Sequence, residues 1–168
     1  MEQITKEELL DVIGKFELGD NTEVVSVEPY GSGHINDTFR LEVKEDGQEK
    51  LYILQRMNKD IFKNQKELME NILQVTSFLT DKIKAQGGDP NRETLQVIPT
   101  KEGKSYLIEA NGDGWRVYPF ITDSLSFDKA DTPEAMKKSG YAFGNFQYLL
   151  SDFPAEKLHE TIPDFHNT

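Results

Sequence analysis

Between two β-like stretches the chain reads Tyr30-Gly31-Ser32-Gly33-His34-Ile35-Asn36. Gly31 and Gly33 let a backbone approach phosphate oxygens closely and turn its N–H groups towards them, and Asn36 tolerates left-handed backbone better than most residues. The spacing therefore permits a loop that covers phosphates; an ordinary glycine hairpin is the competing reading. Context excludes two other phosphate loops. No Gly-Lys-Ser/Thr follows, as a Walker loop requires, and Asp37 to Val43 alternates with period two where a dinucleotide fingerprint would open a helix. His34 within such a loop could donate to nucleotide or substrate oxygens, although loop histidines are commonly just exposed. Ser32 lacks the Gly-x-Ser-x-Gly surroundings of an activated nucleophile. His34, His159 and His166 form no ligand pair at helical spacing, so a zinc site is not expected.

A glycine flap of the kinase type needs a cation on the third strand and a carboxylate on the next helix. The third strand carries Tyr52-Ile53-Leu54-Gln55-Arg56. Gln55 stands where a lysine would be expected, and Arg56, one residue later, faces the other way on strict alternation. Chemistry favours Arg56, because a guanidinium pairs with phosphate and an amide does not; the rival reading is a surface arginine at a strand end. On the following helix Glu67 and Glu70 are the candidate carboxylates. Neither lies on the Leu68, Ile72, Val75 stripe, so the helical wheel leaves that choice open.

The elements that would hold these residues follow from patterning. Thr5-Lys6-Glu7-Glu8 ahead of Leu9, Val12, Ile13 and Phe16 is a capping box opening an amphipathic helix. Strands are expected over residues 23–28, 38–43 and 51–54, with Asp46-Gly47 as the turn of a hairpin. A helix is expected over residues 64–85, stopped by Gly87-Gly88 and Pro90. Three further β-like pieces at residues 95–98, 106–108 and 115–121 complete an antiparallel sheet of five or six strands. Thr132-Pro133 opens a second long helix at about residues 133–151, and a short helical turn is expected near residues 155–158. The aromatic residues of residues 115–120 and 143–148 read as packing groups and not as a base-stacking platform.

Composition limits the classes. The 168 residues are 36% hydrophobic and 29% charged, and they contain no cysteine, which excludes disulfide scaffolds, thiolate metal sites and cysteine nucleophiles. With 30 acidic against 19 basic side chains the formal net charge is -11, a repulsive field for nucleic acid. No apolar run approaches a membrane span and the N-terminus is not a secretory signal, so a cytoplasmic protein with neither nucleic-acid nor membrane partners is expected.

The stretches Tyr30 to Thr38, Tyr52-Ile53-Leu54-Gln55-Arg56-Met57-Asn58 and Leu68-Met69-Glu70-Asn71-Ile72 together resemble the aminoglycoside phosphotransferase and choline kinase superfamily. Within it the likeness is closest to the N-acetylhexosamine 1-kinases. Trp115 to Ile121, Phe143-Gly144-Asn145-Phe146-Gln147 and Glu160 to Thr168 look like the same group in the same order, so the resemblance covers almost the whole chain. It implies an α+β fold with a protein-kinase-like N-terminal lobe, an antiparallel sheet plus one orienting helix, over residues 1–121. A connector over residues 122–131 and the start of a helical C-terminal lobe over residues 132–168 would follow.

The implied nucleotide site comprises Gly31, Ser32, Gly33, His34, Asn36, Gln55, Arg56 and Glu70. Adenine would lie near Tyr118, Pro119, Phe120 and Ile121, where the chain leaves the last strand. The implied activity is transfer of the terminal phosphoryl group of ATP, with Mg²⁺, to a sugar hydroxyl, the anomeric one of an N-acetylhexosamine. That family carries its catalytic Asp in a His-x-Asp-x-x-x-x-Asn loop and a metal-binding Asp further on. Neither occurs in these residues. The expectation is therefore a lobe without catalytic or metal-ligating residues, inactive alone, and self-associating where the helix at residues 133–151 lacks its cover. Two alternatives stand beside it: a noncatalytic α+β binding module, and the same superfamily with choline, homoserine or an aminoglycoside as acceptor.

Overall fold

The computed structural model of the chain describes residues 4–33, 35–124 and 129–165. It is an α+β structure. Helix α1 (Lys6–Ile13) precedes strands β1 (Thr22–Pro29), β2 (Asp37–Glu45) and β3 (Gln48–Met57). Next come helix α2 (Gln65–Ala85), the short helix α3 (Pro90–Glu93), strands β4 (Leu107–Ile108) and β5 (Gly114–Pro119), helix α4 (Pro133–Leu149) and a 3-10 turn at Ala155–Lys157. The five strands form one antiparallel sheet in the order β1-β2-β3-β5-β4. Among the described residues no helix is long and apolar enough to cross a membrane.

Local chemistry explains most boundaries. The Thr5 side chain accepts from the Glu8 N–H while the Glu8 carboxylate accepts from the Thr5 N–H, so the capping box is closed in both directions. Asp46 and Gly47 take φ values of 49° and 82°, the left-handed pair that joins twisted strands through a two-residue turn. That turn fixes the β2/β3 register, which runs without interruption from Glu45 opposite Gln48 to Asp37 opposite Arg56. Thr132 caps α4 by accepting from the Ala135 N–H, with Pro133 at the first helical position.

Residues 95–98 depart from the expected strand. Asp89 caps α3, whose existence patterning did not suggest, and Ile98 then makes a single bridge to Val117. Pro99, which has no N–H to donate, follows at once. The piece at residues 106–108 contracts to the two-residue β4, and β5 begins one residue earlier and stops two earlier than expected.

The chain divides into two compact units, the first comprising residues 1–73, 96–120 and 159–168, and the second residues 74–95 and 121–158. In the first, one face of the sheet is closed by α1. Leu9, Val12, Ile13 and Phe16 pack on Phe39, Leu41, Val43, Leu54, Trp115 and Val117, all below a tenth exposed. These strand residues alternate, as a sheet buried on that face requires. In the second unit Leu79 and Ile83 pack with Leu149, Phe78 meets Phe153 edge to face at 5.2 Å, and Lys82 binds both Asp152 and the Leu149 carbonyl. Helix α4 buries Leu149 and leaves Tyr141, Phe143 and Tyr148 exposed.

Candidate functional site

The glycine loop joins β1 to β2. At its base the Tyr30 N–H donates to the Thr38 carbonyl at 2.8 Å. Gly31 has a φ of 82°, a conformation that favours glycine, and a side-chain carbon added at Gly31 or Gly33 would meet no atom within 4 Å. Both positions open onto solvent among the described residues. His34 lies outside the described residues.

A set of polar bonds ties the end of this loop to the end of β3. The Asn58 N–H donates to Asn36 Oδ1 at 2.9 Å, and Asn58 Nδ2 donates to the Ile35 carbonyl at 2.9 Å. Asn58 Oδ1 also accepts from the Asp60 N–H at 2.9 Å, holding the turn that follows β3. Asn36 thus acts on the loop's anchorage. Its side-chain oxygen is engaged by backbone.

Because neighbouring strand residues face opposite ways, Gln55 and Arg56 belong to different environments. Arg56 is 8% exposed on the face covered by α1. Its guanidinium meets Asp37 at 2.6 Å and Asp113 at 3.1 Å, and it lies 5.9 Å from the Trp115 ring. Asp113 also takes Lys59 at 2.7 Å. Burial pushes the Asp113 carboxyl up, but the Lys59 hydrogen bond and the charges of Arg56 and Lys59 outweigh it, leaving Asp113 below the usual carboxylate range. A cavity of about 600 Å³ opens beside this group, lined by Glu7, Glu8, Asp11, Glu109 and Asp113 around Arg56. That ring of carboxylates is a poor environment for phosphate.

Gln55 faces the other side, towards α2. Its Nε2 donates to Thr38 Oγ1 at 2.9 Å, and its Oε1 accepts from Arg116 Nε at 3.0 Å, from Arg116 Nη2 at 2.6 Å and from the Tyr118 hydroxyl at 2.9 Å. Arg116 Nη1 reaches Met69 Sδ at 3.8 Å, and Met69 is the α2 residue wholly buried against this face. Burial raises the Tyr118 hydroxyl above its ordinary pKa, an effect that the Arg116 charge only partly offsets, so the phenol stays protonated and donates. Thr38, Gln55 and Arg116 form one cross-strand row, since Thr38 pairs with Gln55 and Gln55 with Arg116.

The remaining sequence candidates fall as follows. Glu70 binds Lys66 one turn earlier at 3.6 Å and His159 at 2.9 Å, and it makes no ion pair with a strand residue among the described residues. Glu67 donates its backbone N–H to the Asn64 side chain at the helix start. Phe120 meets Tyr30 edge to face, ring centroids 5.4 Å apart, and the Phe120 N–H donates to the Leu51 carbonyl. The start of the glycine loop and the end of β5 are therefore adjacent. Tyr118 belongs to the Gln55 group, Pro119 ends β5 opposite Tyr52, and Ile121 is half exposed with its carbonyl accepting from Ser124.

No known family model matches the chain. The arrangement must be read on its own chemistry.

Three residues of the cluster escaped the sequence reading: Arg116, Thr38 and Asn58. A signal existed for the first. In Trp115-Arg116-Val117-Tyr118 the apolar and polar residues alternate, which assigns Arg116 and Tyr118 to one face. That this face was shared with Gln55 depends on β5 lying beside β3, a pairing across more than fifty residues that no local pattern carries.

The glycine loop and the Tyr30–Phe120 pair are the groups that would meet a nucleotide's phosphates and base if one bound here. For Mg²⁺ the described residues offer no such set. Among the described residues no group of three or more His, Asp or Glu side chains is placed to hold a metal ion.

Proposed function

We propose that this chain is the ATP-binding portion of a small-molecule kinase that phosphorylates a sugar hydroxyl, the anomeric hydroxyl of an N-acetylhexosamine. The observation that supports it most is the convergence of two separate stretches. The glycine loop, anchored by Asn36 and Asn58, begins at Tyr30 directly against Phe120, where β5 ends. A nucleotide bound there would have its phosphates under the loop and its base beside residues 118–120. The strand–loop–strand–hairpin–strand–helix order suits a protein-kinase-like lobe with α2 as its orienting helix.

Phosphoryl transfer depends on positioning and on neutralising charge. On this reading the chain supplies positioning; a catalytic carboxylate and metal ligands are not among its candidates, so the lobe alone is expected to bind without turnover. The acceptor reading rests on sequence resemblance. The exposed aromatic residues of α4, distributed around the helix, support self-association, which sedimentation velocity at rising concentration checks.

Titration calorimetry of the chain with ATP tests the nucleotide reading. Assay of the gene product containing residues 1–168, with ATP and N-acetylglucosamine, N-acetylgalactosamine, choline or kanamycin, tests the acceptor. Turnover of a hexosamine is expected; turnover of choline or kanamycin alone would replace the acceptor, and absence of ATP binding would remove the nucleotide reading.

A further inference from the structure

We propose that Arg116 of β5 supplies the cation that binds the nucleotide's phosphates, standing over β3 in the place where Gln55 offers no charge. The inference rests on the nucleotide reading above and goes beyond it by assigning the charge to a strand that reading did not use.

Three observations carry it. First, Arg116 has no carboxylate partner among the described residues: its Nε and Nη2 meet the neutral Gln55 oxygen and its Nη1 the Met69 sulfur. The other arginine on the row's neighbouring position, Arg56, already has Asp37 and Asp113. A half-buried guanidinium satisfied only by neutral acceptors retains its full charge for an external anion, and burial in a lower dielectric strengthens that attraction. Second, the guanidinium is aimed. Gln55 holds two of its nitrogens, Tyr118 shares the same oxygen, and Thr38 fixes the Gln55 amide from the other end. Such a chain of bonds pre-orients the planar fork, so little side-chain entropy is lost when phosphate binds. Third, the row leads to the loop. Thr38 lies on β2 immediately after the glycine loop and its carbonyl takes the Tyr30 N–H at the loop's base. Strand spacing puts the Arg116 and Thr38 backbones about 10 Å apart, and the Arg116 side chain spans half of that by leaning across Gln55. The Gln55 amide bridges the remainder through its bond to Thr38, so a di- or triphosphate would lie over this row and meet the guanidinium N–H groups that Gln55 leaves open.

The test uses ATP, adenosine and inorganic tripolyphosphate as ligands for the wild-type chain and for Arg116→Gln and Arg116→Lys, each variant first checked by circular dichroism and by its urea midpoint. Loss of one charge-assisted contact to phosphate is expected to weaken ATP and tripolyphosphate about ten- to a hundred-fold in Arg116→Gln, to leave adenosine unchanged, and to be partly restored in Arg116→Lys. Equal weakening of ATP and adenosine would show a purely structural role and overturn the proposal. Unchanged ATP affinity in Arg116→Gln would overturn it while leaving the nucleotide reading intact. Arg116-dependent tripolyphosphate binding without ATP binding would uphold the anion site and remove the nucleotide reading. Wild-type binding of none of the three would remove both.

Discussion

Removing Arg56 should unfold the first unit far more readily, and should do so without acting through phosphate. The Arg56 side chain is 9% exposed, and it joins Asp37 on β2 to Asp113 just before β5. Breaking a buried ion pair by deleting one partner costs about 3–5 kcal/mol, because the other charge stays buried. Here the lower end applies. Asp113 keeps Lys59 at 2.7 Å, and Asp37, at 27% side-chain exposure, recovers some water. A cost of about 3 kcal/mol divided by a urea dependence of about 2 kcal/mol per molar lowers the midpoint by about 1.5 M. Trp115 is the only tryptophan, is 3% exposed and lies against Arg56, so its fluorescence reports this unit specifically. Arg56→Lys should lose a smaller part of that stability, since a single ammonium serves two carboxylates less well than a planar fork. By contrast Arg116, half-buried among neutral acceptors, should cost only about 1 kcal/mol when truncated. The reasoning is refuted if Arg56→Ala keeps its midpoint within about 0.3 M of wild type and loses ATP affinity, for Arg56 would then be a binding group and not a structural one.

Other perturbations test neighbouring steps. Asn36→Ala leaves the Asn58 N–H without its acceptor and should cost about 1 kcal/mol, with faster proteolysis within residues 31–36; unchanged cleavage rates would show that the loop is anchored elsewhere. Gly114→Ala drives a methyl group onto the Gln65 amide and Met57 Cε, the ends of two flexible side chains that can swing aside, so a loss of at most about 1 kcal/mol is expected in urea denaturation, and a loss above about 3 kcal/mol would show that they are held rigidly. Asp113 is held below its ordinary pKa in the folded state, so its stabilisation is complete above the unfolded-state value and disappears as pH falls through the folded one. Urea midpoints at about pH 7 and about pH 3 should therefore differ more for wild type than for Asp113→Asn, and equal differences would deny Asp113 that role.

How far these assignments could be read from the residues depends on how local each one is. The Thr5 capping box, the Asp46-Gly47 hairpin and the Thr132-Pro133 helix start are each fixed within a few residues, and each stands where patterning put it. The choice between Gln55 and Arg56 was open to more reasoning than charge. Counting outward from the Asp46-Gly47 turn sets Asp37 directly opposite Arg56 and Thr38 directly opposite Gln55. A cross-strand aspartate is a partner that claims the guanidinium, and a threonine leaves an amide free to orient something else. The charge of Arg56 has that aspartate as its neighbour, whereas Gln55 faces only Thr38 across the β2/β3 pair. Arg116 was hidden for a different reason. Its alternation with Trp115 and Val117 gave its face, but its place beside Gln55 comes from β5 inserting between β3 and β4, an order that only long-range packing decides. The failed strand at residues 95–98 belongs with it, since a β-like run becomes a strand only where a partner edge is free, and β5 gives its edge to β4 and a single bridge to Ile98. A binding row assembled across three strands from two distant parts of the chain therefore offers a sequence reader its components and not their adjacency.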